Sequence, residues 1–119
     1  MTAAAIFTPP KLEIPVFKFK IPKKDRKWEG DPTTFKIRQY TVSQELDALR
    51  VAKSGVQLEY ELIQRTVVEI DGKAVDQGLN FLDAFSPPVR KRFQMALNHI
   101  NAPDADEDEV FLKGEGTDV

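Results

Sequence analysis

The sequence has no cysteine and one histidine, His99. Without thiols it holds no disulfide framework, no thiolate metal site and no thiol nucleophile. It also lacks a glycine-rich phosphate loop and any arrangement resembling an acyl-transfer triad. His99 sits beside an apolar helical stripe, where a structural role outweighs that of a general base. No run approaches the roughly 20 apolar residues of a membrane span. The opening "MTAAAIFTPP" lacks the basic start of a secretory leader, and its apolar run is short. The expectation is a soluble, intracellular protein that is not an enzyme, with no catalytic residue, no cofactor and no metal.

What is present points to one domain. A chain of 119 residues with 41% hydrophobic content supplies one modest core. The net charge of −2 conceals an asymmetry. Residues 1–53 carry 11 Lys+Arg against 6 Asp+Glu, and residues 54–119 carry 6 against 13. Such a split marks tails or interaction surfaces.

Pro9, Pro10 and Pro15 make residues 1–15 an extended arm, because proline fixes φ and donates no ladder hydrogen bond. It reads either as a loose terminus or as an arm tied to a neighbouring subunit through Ile6, Phe7, Leu12 and Ile14. "VFKFKI" at 16–21 alternates, with Phe17, Phe19 and Ile21 on one side and Lys18 and Lys20 on the other. Residues 34–40 alternate again, so the two runs form an antiparallel hairpin around a polar loop, 22–33. That loop exceeds the usual hairpin length and is expected to be mobile or to carry a contact. Thr41 and Gln44 have the spacing of a capping box. They open a helix over 42–53, in which Val42, Leu46 and Leu49 form an apolar stripe with Ala48 and Ala52 beside it. Gly55 fits a left-handed helix terminus.

A second helix runs from near Gln57 to about Gln64, with Leu58, Leu62 and Ile63 spaced along it. Asp71-Gly72 between β-branched residues predicts a small hairpin at 66–75. "LNFLDAF" reads as a helical turn. Ser86 as N-cap and Pro87 at the first position open the clearest helix, with a stripe of Val89, Phe93, Ala96, Leu97 and Ile100. Pro103 stops it. The resulting expectation is an α+β fold: a small N-terminal antiparallel hairpin or sheet packed on a bundle of three to four short helices. It occupies residues 16–103, between the arm and an acidic, disordered tail at 104–119.

Two charged stretches are the candidate partner-binding residues. Lys18, Lys20, Lys23, Lys24, Arg26 and Lys27 lead up to Trp28, and aromatics among basic residues can stack on bases while the charges hold phosphates. A solvated hairpin face or an acidic protein partner accounts for them as well, and the acidic remainder of the chain disfavours nucleic acid. Asp104, Asp106, Glu107, Asp108 and Glu109 lack the glycine and terminal glutamate of a calcium loop. They read as a solvated tail able to meet a basic partner.

The segments "FKIRQYTVSQELDAL", "LEYELIQRTVVEIDGKAVD" and "LDAFSPPVRKRFQMALNHINAP" together resemble the tail-assembly chaperones of long-tailed bacteriophages, contractile-tailed ones included. There a strand with an R-x-x-T ending enters the first helix, a second helix leads to a DG turn, and a short apolar segment opens the last helix. The resemblance spans roughly residues 16–103. It implies an adaptor that binds the tape-measure protein and recruits tail-tube subunits, acting in the host cytoplasm during assembly, with homo-oligomers possible. The lysine-rich loop and proline-rich arm depart from that family's pattern. They point to the alternative, a structural tail or baseplate component kept in the virion.

Overall fold

A computed structural model of the chain describes residues 5–76 and 80–101. The elements are β1 (Val16–Lys20), β2 (Thr34–Arg38), α1 (Val42–Val51), α2 (Gly55–Thr66), β3 (Val67–Ile70), β4 (Lys73–Ala74) and α3 (Pro87–Asn101). Single 3-10 turns occupy Lys23–Asp25 and Leu82–Ala84. The strands form one antiparallel sheet in the order β1-β2-β3-β4. The fold is therefore α+β, as the alternating and helical periods require.

Alternation along β1 and β2 decides which face is buried. The register pairs Phe19 with Phe35 and Phe17 with Ile37. Phe19 stacks on Phe35 with ring centroids 5.5 Å apart, and Phe35 packs on Phe93 of α3 at 4.1 Å. Phe81 and Phe85, flanking the second 3-10 turn, close the other side of Phe93 at 5.8 Å each. Ile21, Ile37, Ile63, Val67 and Val89 complete a core with essentially no solvent contact. All five stripe residues of α3 are buried in it. Phe17, at the outer end of the edge strand, stays exposed.

The Asp71-Gly72 turn forms as expected. Asp71 has φ 51° and Gly72 φ 80°, the paired positive values of a type I′ hairpin turn. Asp71 does more than turn the chain. Its Oδ1 accepts from the backbone N–H groups of Thr33 (2.8 Å) and Thr34 (3.0 Å), locking the hairpin to the start of β2.

Several expectations need correction. Gly55 is no helix terminator: Ser54 caps α2, accepting from Gln57 N at 3.1 Å, and Gly55 is that helix's first residue. A short polar N-cap competes well for this position, and no left-handed residue is needed. Ser86 does precede α3, but its hydroxyl donates to Asp31 Oδ2 at 2.5 Å. The 22–33 loop is anchored to the body, as described below, where mobility was one expectation. The stripe of Val42, Leu46 and Leu49 faces solvent, at 73%, 56% and 51% exposure. Residues 5–15 form no helix or strand, and Ile6, Phe7 and Leu12 are exposed there. The expectation of a disordered tail at 104–119 lies outside the described residues.

Candidate functional site

The basic stretch around Trp28 does not behave as one unit. Its loop folds back on α3 through two carboxylates. Asp25 Oδ2 accepts from Arg92 Nε at 2.5 Å, with both side chains largely buried. Asp31 is the denser anchor. Its Oδ2 accepts from Lys27 N and Trp28 N, each at 2.8 Å, and from the Ser86 hydroxyl. Its Oδ1 accepts from Ser86 N at 2.9 Å. Burial alone would raise the pKa of Asp31, but these four bonds favour the carboxylate and hold it below the ordinary value. The loop is thus a fixed structure, and its charges are sorted by it. Lys23, Lys24, Lys27 and Trp28 remain exposed, whereas Arg26 turns inward and donates to Thr33 Oγ1 at 3.3 Å.

Lys18 and Lys20 belong to a different surface. With period-two alternation, Val16, Lys18 and Lys20 point away from the core, opposite Arg38, Lys36 and Thr34 in the register. Four cations, Lys18, Lys20, Lys36 and Arg38, thus share the outer face of the sheet. Lys18 lies directly across from Lys36, a like-charge pair that disfavours the sheet. The only carboxylate paired with this face among the described residues is Glu69, 3.5 Å from Lys36 Nζ. The Arg38 Nε is buried with no hydrogen-bond partner among the described residues, as are those of Arg26 and Arg90. Lys36 and Arg38 were missed as site residues in the linear sequence. The signal was there in the alternation of 34–38, but pairing it with 16–20 requires the register.

The second surface is α1. The Thr41 capping box forms in full: Thr41 Oγ1 accepts from Gln44 N, and Gln44 Oε1 accepts from Thr41 N. Gln44 also donates to the Arg65 carbonyl at the end of α2 (3.0 Å), and Tyr40 N donates to Asn101 Oδ1 (3.0 Å). These bonds fix the helix on the body, so only Ala48 enters the core. At 100° per residue Val42, Leu46 and Leu49 lie within about 60° of one another, and Ala48 about 120° from their centre. Val51, on the opposite side of α1, and Val56, in α2, are also exposed.

No protein-family model matches this chain, and no curated protein or solved structure is similar to it. The site is therefore read from its own geometry. His99 stands edge-on to Phe19, with ring centroids 6.3 Å apart, as part of the packing. Among the described residues no three histidine or carboxylate side chains converge as a metal site, and no helix is long and apolar enough to cross a membrane. The acidic candidates Asp104, Asp106, Glu107, Asp108 and Glu109 lie outside the described residues.

Proposed function

We propose that this protein is a non-enzymatic assembly adaptor that binds protein partners through the exposed stripe of α1. The observation that carries the reading is the uncovered set Val42, Leu46 and Leu49 on a helix whose cap and hydrogen bonds hold it rigid. An amphipathic partner helix can bury such a row through its own i, i+3, i+4 and i+7 residues. The apolar row supplies burial, and the charges of Glu45 and Arg50, which flank it at the helical period, supply register. With the resemblance of the sequence to tail-assembly chaperones, the partner we propose is a segment of the tape-measure protein, with tail-tube subunits recruited to the complex. Co-expression with that tape-measure protein tests it. The native chain should co-purify with it, and a Leu46→Glu, Leu49→Glu variant should not. Equal recovery of both would refute the reading.

The arm favours a second reading. Ile6, Phe7 and Leu12 are large apolar side chains that stay exposed on a segment outside the helices and strands. A neighbouring subunit that buries them permanently would make the protein a structural tail or baseplate component. Mass spectrometry of finished particles separates the two, because an adaptor leaves and a structural subunit stays.

A further inference from the structure

The sheet has two edges, and neither is part of the α1 stripe. β4 is only two residues long. β1 runs for five, and among the described residues nothing pairs with its outer side.

The register shows which backbone groups β1 leaves open. Ile21 N donates to the Thr33 carbonyl at 2.8 Å, so these two residues form a hydrogen-bonded pair. Such pairs recur at every second residue of an antiparallel ladder, which makes Phe19–Phe35 and Phe17–Ile37 the next two. The Thr34 carbonyl accordingly turns away from β1 and accepts from Asp71 N at 2.9 Å. Val16, Lys18 and Lys20 therefore aim both N–H and C=O at the open edge.

Alternation sorts the side chains along the same edge. Lys18 and Lys20 lie on the outer face and are exposed. On the core face Phe19 is buried, whereas Phe17 is left 38% exposed. Pro15 and Pro22 bracket the strand, and neither can donate to a ladder.

We propose that β1 accepts a fifth, antiparallel strand from a partner protein, supplied by an extended segment in which acidic and apolar residues alternate. Its backbone bonds Val16, Lys18 and Lys20. Its carboxylates lie beside Lys18 and Lys20, and its apolar side chains cover Phe17 and continue the face of Phe19. Charge decides the occupant. Edge lysines guard a sheet against unselective pairing. A second copy pairing through its own β1 would set lysine against lysine, which is unfavourable. Lys18 already faces Lys36 on its other side, and a carboxylate at the open edge relieves that pair. A nucleic acid strand meets the lysines but cannot complete the backbone ladder.

The test uses the full-length chain and the blocked peptide Gly-Glu-Val-Glu-Val-Glu-Gly. Hydrogen exchange followed by NMR should find the Lys18 and Lys20 amides unprotected in the free protein. Saturating peptide should slow both at least about tenfold. A peptide with lysine in place of each glutamate should bind at least about tenfold more weakly. Lys18→Glu, Lys20→Glu, at two exposed positions, should reverse that preference. N-methylation of the central glutamate, whose N–H faces β1, should abolish binding, whereas N-methylation of a valine, whose N–H faces away, should not. Amides already protected in the free chain would overturn the proposal, as would equal binding of the two peptides or no binding at about 1 mM. Binding of the peptide without protection of Lys18 and Lys20 would also overturn it, assigning the lysines to a polyanion laid over the face; oligo(dT) bound more tightly than the peptide would do the same.

Discussion

α1 and α3 carry the same kind of pattern and meet opposite environments. Val42, Leu46 and Leu49 recur at the helical period just as Val89, Phe93, Leu97 and Ile100 do. The α3 row is buried against Phe35, Phe81 and Phe85, whereas the α1 row is more than half exposed. Side-chain size at the contact separates them. α3 offers a phenylalanine that fills the space between the sheet and the second 3-10 turn. α1 meets the body through Ala48, which permits close approach but turns the larger side chains outward. A helical stripe therefore establishes that something apolar must cover it, and leaves open whether that is the same chain.

Substitutions can break this comparison in order of effect. Phe93→Ala removes the ring at the centre of the core and should cost roughly 3–5 kcal/mol, measured by denaturant unfolding. For a small domain that approaches the whole stability. A cost below about 1 kcal/mol would mean that α3 is no more committed to the core than α1.

Asp31→Asn comes next, because it tests whether the start of α3 depends on the loop. The amide replaces one acceptor oxygen with a donor, so at least one of the four N–H and O–H groups now facing Asp31 loses its partner. A loss of about 1–3 kcal/mol is expected. The Asp31 pKa is lowered on folding, so its contribution is fully present above the unfolded value near 3.8 and is lost as pH falls through the folded value. The stability gap between native and variant should accordingly be constant at neutral pH and narrow only below about pH 4. A gap that narrows near neutrality would remove the carboxylate from the explanation.

Gly72→Val forces a β-branched residue to φ 80° in the turn that anchors β2, and should destabilise by more than about 1 kcal/mol. An unchanged denaturant midpoint would show that the β3–β4 hairpin is incidental to the sheet.

The smallest effect is expected in α1. Leu46→Ala and Leu49→Ala should each change stability by less than about 0.5 kcal/mol, as for surface positions, while weakening partner binding. A core-sized loss in either would place the stripe in the fold's own packing and end the contrast with α3.

Much of the fold was legible in the chain because its signals are local. The alternation at 16–21 and 34–40, the Thr41–Gln44 box, the Asp71-Gly72 turn and the α3 stripe each depend on residues a few positions apart. Local physics settles them: pleat period, orphan N–H groups, positive φ and helical period. Gly55 misled because glycine suits both the end of one helix and the start of the next, and Ser54 decides between them.

The candidate site was legible only in part. Lys18 and Lys20 could be singled out, but grouping them with Lys23, Lys24, Arg26 and Lys27 followed chain order. The sheet instead joins them to Lys36 and Arg38, across a register no local signal specifies. The loop's basic content hid its carboxylates, Asp25 and Asp31, whose partners Arg92 and Ser86 lie 67 and 55 residues away.

By itself, then, the sequence determined which segments become strands, helices and turns, and that none of them carries thiol chemistry. The tertiary structure alone decided which apolar stripe is core and which is surface, and which cations share a face. Each depends on what lies opposite, and partners so far apart along the chain meet only once it has folded.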